Sequence, residues 1–166
     1  MLFFSTWLTA QSKYAESDRE MIKQYINRRD TIPLSHTNSN ETAVKNILRS
    51  YADAIERLDV KGTEELFMVD SRIYESGIDE GNYTSYLSSH LLPELRTFKS
   101  IIFTNYHINV ESDGKYAFAS ESYTCIITLL KNNTEIKIKN LSTSVLKKVK
   151  GKWKIMIMHS SVGKLN

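Results

Sequence analysis

The chain has 166 residues, 41% of them hydrophobic and 25% charged, which suits one globular domain around one core and excludes disordered, collagen-like and membrane-spanning compositions. Twenty-two Lys and Arg against nineteen Asp and Glu leave a net charge of +3, too weak a field to imply nucleic acid as a partner. The single cysteine, Cys125, excludes an internal disulfide and lies in the apolar run SYTCIITLL, the setting of a buried structural thiol.

Residues 1–11, MLFFSTWLTAQ, carry an apolar stretch from Leu2 to Leu8 and then Thr9-Ala10 before Gln11. This reads as the end of a secretory signal that lacks its positive n-region, or as a plain apolar start that packs on the domain; the run is too short to span a bilayer. The first reading sends the protein to the periplasm or outside the cell, and the second leaves it cytoplasmic. Residues 12–40 form an N-terminal extension and linker. REMIKQYINRR holds Met21, Ile22, Tyr25 and Ile26 at helical spacing, and DTIPLSHTNSN, with Pro33 and His36, stops any helix.

The domain itself is expected over 41–166. Asn40 is a candidate N-cap with Glu41 in the first turn, and Val44, Ile47, Leu48, Tyr51, Ile55 and Leu58 make one apolar helical stripe. Lys61-Gly62 breaks that helix, and Thr63 to Phe67 forms a short second one before a first strand in VDSRIYESG. Gly77 and Gly81 bracket a turn. Tyr83, Tyr86, Leu87, His90 and Leu91 then recur at helical spacing, a third helix that Pro93 closes.

The remainder is strand: Phe98 to Val110, Lys115 to Leu130, Glu135 to Val149 and Lys152 to Ser161, separated by turns short enough to force antiparallel hairpins. The fold class is therefore α+β, a curved antiparallel sheet over about three helices. Lys137, Lys139, Lys147, Lys152 and Lys154 interleave with apolar residues at strand spacing, as on a solvated outer face.

Alternation assigns the candidate site residues. With Lys152 and Lys154 in water, Trp153, Ile155, Ile157, His159 and Ser161 face inward, and His90 lies on the core-facing stripe of its helix. His107 falls outside, because Tyr106, Ile108 and Val110 form the apolar set of their strand. Glu121 belongs with Ala117, Ala119, Tyr123 and Cys125, and Glu75 shares a face with Ile73. His159, His90, Glu121 and Glu75 are thus the candidate acid–base groups, and Tyr51, Tyr74 and Tyr123 join them as candidate pocket lining. Each alone has a bland reading, a hydrogen-bonded core group or a strand-end cap. Two imidazoles and one carboxylate suit zinc or iron chemically, but their spacing is no metal signature, and neither metal nor cofactor is expected.

The order helix, short helix, strand, helix and four-strand meander resembles the nuclear transport factor 2-like, cystatin-like roll. SYADAIERLDVKGTEELF, IYESG with GNYTSYLSSHLLPEL, DGKYAFASESY and TSVLKKVKGKWKIMIMHSS resemble its SnoaL-like subgroup over about Glu41 to Lys164. The resemblance implies a cone enclosing a pocket that different members use for isomerisation, cyclisation, dehydration or binding alone. By position it carries the subgroup's terminal histidine to His159 and its helix histidine and strand glutamate to His90 and Glu75, while an aspartate general base is not evident. It also implies a homodimer through the open sheet face. The functional expectation is a small-molecule pocket, with a cofactor-independent isomerase, cyclase or dehydratase and a dimeric interaction module as the alternatives.

Overall fold

The computed structural model describes residues 39–164. The signal-like start and most of the extension, His36 included, lie outside the described residues.

Helix α1 (Ser39–Glu56) forms on the apolar stripe, burying Val44, Leu48 and Tyr51 at successive turns with Ala52 and Ala54 beside them. Asn40 is not its cap: the helix already includes Ser39, and Asn40 Oδ1 accepts a hydrogen bond from Lys148 Nζ at 2.8 Å. Nor does Lys61-Gly62 end the helix. Leu58 enters the left-handed region (φ 54°), Leu58 N–H reaches Ile55 O at 2.8 Å and Asp59 N–H reaches Ala54 O at 3.1 Å, a Schellman-type stop with leucine where glycine is usual. A single 3₁₀ turn (Thr63–Leu66) follows.

Strand β1 (Phe67–Glu75) folds back on β2 (Ile78–Gly81) through Ser76 and Gly77, both at positive φ (49° and 90°), the backbone that a two-residue hairpin demands. The sequence reading placed only a turn here. Next come α2 (Tyr83–Tyr86), capped by Asn82 Oδ1 accepting from Ser85 N–H at 2.9 Å, a π turn (Leu87–Leu91) and α3 (Leu92–Leu95). Pro93 was expected to close this helix, yet the chain remains helical past it. In the π turn Leu92 N–H bonds back five residues to Leu87 O, and Pro93 occupies the opening turn of α3, where a missing donor costs least.

Strands β3 (Phe98–Ser112), β4 (Tyr116–Leu129), β5 (Glu135–Val149) and β6 (Lys152–Lys164) are the expected meander. The six strands lie in the order β2-β1-β6-β5-β4-β3. Neighbours are antiparallel except β1 and β6, so the sheet is mixed. The result is the α+β cone: helices cover the sheet's inner face, and no helix among the described residues is long and apolar enough to cross a membrane.

Under the helices Phe67 stacks on Tyr83 with centroids 3.6 Å apart, Tyr51 meets both rings edge-on, and the Tyr83 hydroxyl lies 2.7 Å from Thr63 Oγ1. Leu146, Ile155 and Ala117 are fully buried on the sheet side. Register shifts interrupt several of the pairings, and the bulges in β3 and β6 bear on the site. In β3, Thr104 pairs with Thr124 and His107 with Ser122, leaving Asn105 (φ 52°) and Tyr106 opposite Tyr123 alone. In β6, Ile155 pairs with Leu146 but Ile157 with Val145, so Met156 is an extra residue. Beyond it the inward residues are Met158, Ser160 and Val162.

Candidate ligand pocket

The helices leave part of the inner sheet face uncovered, and the gap is a cavity of about 320 Å³. One register row crosses it: Glu121 on β4 opposite Ser142 on β5, Ser142 opposite Ser160 on β6, and Ser160 opposite Glu75 on β1. All four line the cavity. Beside it Tyr123 pairs with Asn140, and α1 and the π-turn helix add Tyr51, Tyr86, His90 and Glu94. Ile101, Leu91, Ile127 and Met158 supply apolar wall.

Two carboxyls are each met by a phenol. The Tyr106 hydroxyl donates to Glu121 Oε1, and the Tyr86 hydroxyl donates to Glu75 Oε2 at 2.7 Å. Glu121 is only 8% exposed; burial pushes its carboxyl above the usual range, and the Tyr106 hydrogen bond opposes that without cancelling it. The phenols of Tyr106, Tyr86 and Tyr123 are raised as well, by burial first and then by the neighbouring carboxylates, so all three stay protonated donors at neutral pH. Burial lifts the Cys125 thiol to about 12, which leaves it unreactive.

At the mouth His90 Nδ1 lies 2.8 Å from Glu80 Oε1, and Nε2 lies 4.0 Å from Glu94 Oε2. Burial disfavours the imidazolium, but the Glu80 hydrogen bond and the charges of Glu75, Glu80 and Glu94 outweigh it and hold the pKa above the ordinary histidine value. Glu94 is raised by burial and then by Glu75, with His90 opposing.

Five residues singled out from the sequence meet in this hollow: Tyr51, Glu75, His90, Glu121 and Tyr123. Two do not. His159, expected to face inward, is exposed on the outer face, because the Met156 bulge reverses the alternation that Trp153 and Ile155 begin. Tyr74 pairs with His159 on that same face and is 36% exposed, since its neighbours Ile73 and Glu75 occupy the inner one. His90 and His159 therefore lie on opposite sides of the sheet and cannot share a metal ion, and no group of three candidate ligands gathers among the described residues.

Sequence reasoning missed Tyr106 and Tyr86 as partners of the carboxyls, and Glu80 as partner of His90. Tyr86 carried a signal, its place on the same helical stripe as His90. Glu80 carried none, because β2 was read as a turn.

The sequence pattern of the SnoaL-like domain matches residues 44–164. Among solved structures, a nuclear transport factor 2 (NTF2-like) superfamily protein from Salmonella enterica serovar Typhimurium superposes with a TM-score of 0.69 at 15% identity, over 79% of this chain and 95% of that one. A hexachlorocyclohexane dehydrochlorinase, LinA-type3, from Novosphingobium barchaimii gives 0.65 at 13% identity over 77% and 89%. A protein from Streptomyces avermitilis assigned as a dehydratase of the NTF2-like family gives 0.63 at 16% over 74% and 95%. At these identities the likeness is one of fold. No curated protein sequence matches the chain.

Glu121 sets a pH dependence of stability. Its folded pKa lies above its unfolded value near 4.5, so the native state holds the proton more tightly and the associated stability is present below pH 4.5 and lost as pH rises through the folded pKa. In Glu121→Gln that loss is absent, and urea midpoints measured from pH 4 to 8 should shift progressively in favour of the variant. A constant difference across the range would mean that Glu121 is not the group responsible.

Proposed function

The chain belongs to the SnoaL-like domain family, and on that premise we propose that the hollow of its sheet holds a small organic molecule, met by Tyr51, Glu75, His90, Glu121 and Tyr123. The observation that carries this reading is a cavity of about 320 Å³ walled by aliphatic residues but crossed by a row of polar ones. Ligand pockets have that character, mostly apolar with a few convergent polar groups. A core built for stability alone would fill the space, since an unfilled cavity costs about 24 cal/mol per Å³ in measured core truncations. In a fragment screen by protein NMR, binders should shift Tyr123, Cys125, Ser142 and Ser160 together. Tyr123→Ala should weaken them about tenfold, the equivalent of ~1.4 kcal/mol. A screen whose hits all fall elsewhere on the surface would remove the reading.

The Glu121–Tyr106 pair favours a second reading, acid–base chemistry without a cofactor. A buried carboxyl with raised proton affinity is suited to take a proton from carbon beside a carbonyl, while the Tyr123 phenol donates a hydrogen bond to the oxyanion that forms and the same proton returns at the neighbouring atom. Structural neighbours assigned as dehydratase and dehydrochlorinase perform eliminations, a related class. Carbon-acid probes should exchange deuterium in D₂O with the protein present, and Glu121→Gln should slow that exchange by about 10²–10⁴. Exchange no faster than buffer would rule this reading out and leave binding intact.

The outer sheet face supports the interaction reading. Phe118 and Leu141 stand there more than half exposed, and a second copy of the chain is the proposed occupant. Sedimentation should give a dimer for the native chain and a monomer for Phe118→Glu; a native monomer at high concentration would exclude the dimer.

A further inference from the structure

We propose that the ligand this hollow takes is an organic cation, an amine carried on an apolar body. The inference rests on the binding reading above and goes further by naming the ligand's charge.

The first ground is the sign of the lining. Glu75, Glu94 and Glu121 reach the cavity, while no lysine or arginine among the described residues does, although the chain holds twenty-two of them and carries a net charge of +3. The basic residues have been kept out of the hollow and the acidic ones left in, opposite to what composition would give. The nearby cations are already engaged. His90 is held by Glu80 at 2.8 Å, and Arg49 pairs with Asp53 at 2.7 Å and Glu56 at 3.1 Å. Glu121 itself has a phenol for a partner and no cation.

The second ground is the unmet hydrogen-bonding capacity. Asn140 lines the cavity, and its Oδ1, buried beside it, finds no hydrogen-bond partner among the described residues. It is an acceptor, as are the carboxylate oxygens across the sheet. A ligand that satisfies these groups must bring donors, and a primary ammonium brings three. An anion would meet like charge, and a neutral body without donors would leave the acceptors desolvated.

The third ground is aromatic. Phe103, Tyr106 and Tyr123 cluster with centroids 4.5 to 6.5 Å apart on the cavity wall, and ring faces attract a cation. The Arg49 guanidinium already lies 4.8 Å from the Tyr106 ring centre. Ile127 and Met158 remain to pack the apolar body.

Three probes that share one ring system separate the possibilities: 2-naphthylmethylamine, 2-naphthylmethanol and 2-naphthoate, titrated into the full chain at pH 7 by calorimetry with NMR to locate them. The amine should bind at least about tenfold more tightly than the alcohol, and the carboxylate most weakly. Glu121→Gln should erase most of the amine's advantage over the alcohol. If that variant fails to fold, Glu75→Gln makes the same test at the other end of the row. Should the alcohol or the carboxylate bind in the cavity as tightly as the amine, the cation inference is overturned and the pocket survives as a binding site. Should none of the three shift cavity residues, the cation inference is overturned as well, and the fragment screen alone then decides whether the hollow binds anything.

Discussion

Glu121 stands on β4 with its carboxyl shut away from water and a phenol as its hydrogen-bond partner. Moving a carboxylate into such surroundings costs several kcal/mol unless a counter-charge or enough donors receive it. Much of the local architecture answers to this. The β3 bulge puts Asn105 and Tyr106 opposite the single residue Tyr123, which frees Tyr106 from the ladder and lets its hydroxyl reach the carboxyl. The bulge is held in turn from the helix side, where Glu56 Oε1 accepts the Phe103 N–H at 2.6 Å just before the strand departs from regular pairing. A helix, a bend and a phenol thus serve to keep one acidic group inside.

How far the sequence could be read follows from where such bends fall. Strand β4 pairs with β5 without interruption from Tyr116 to Thr128, so simple alternation from Ala117 to Ile127 put Glu121, Tyr123 and Cys125 on the inner face. Strand β6 looked equally regular, and there alternation failed at Met156. Nothing in KIMIMHSS marks the extra residue, since Met156 and Ile157 suit either face, and His159 was turned the wrong way. Pro93 failed for a different reason: its missing donor is harmless in a first turn, and a π turn had already reset the helix's hydrogen-bond pattern. Period and composition report the regular parts of this chain. The partners of the buried carboxyls sit at its irregular parts, and only the three-dimensional register exposes them.

The mouth is irregular for related reasons. The β1–β2 hairpin turns through two residues at positive φ, and Glu80 near its far end reaches His90 within the π turn. A regular helix would turn position 90 differently, because the five-residue bond at Leu87 shifts every side chain after it around the axis. The contact joins the first strand pair to the helix that faces it across the opening, and its strength depends on the imidazole being charged. The three carboxylates around His90 favour that state, whereas the deeper Glu121 has a phenol and no imidazole beside it.

That contrast organises the hollow electrostatically. The two carboxyl–phenol pairs stand at the ends of one row, Glu121–Ser142–Ser160–Glu75, three strand spacings or about 14 Å apart along the sheet, less where the sheet curves inward. They are not independent: the charge of Glu75 contributes to holding the Tyr123 phenol protonated, and Tyr123 lies beside Glu121. A positive group arriving at Glu121 would lower the cost of ionising that carboxyl. The occupant's charge therefore bears on the protonation of the carboxyl it meets.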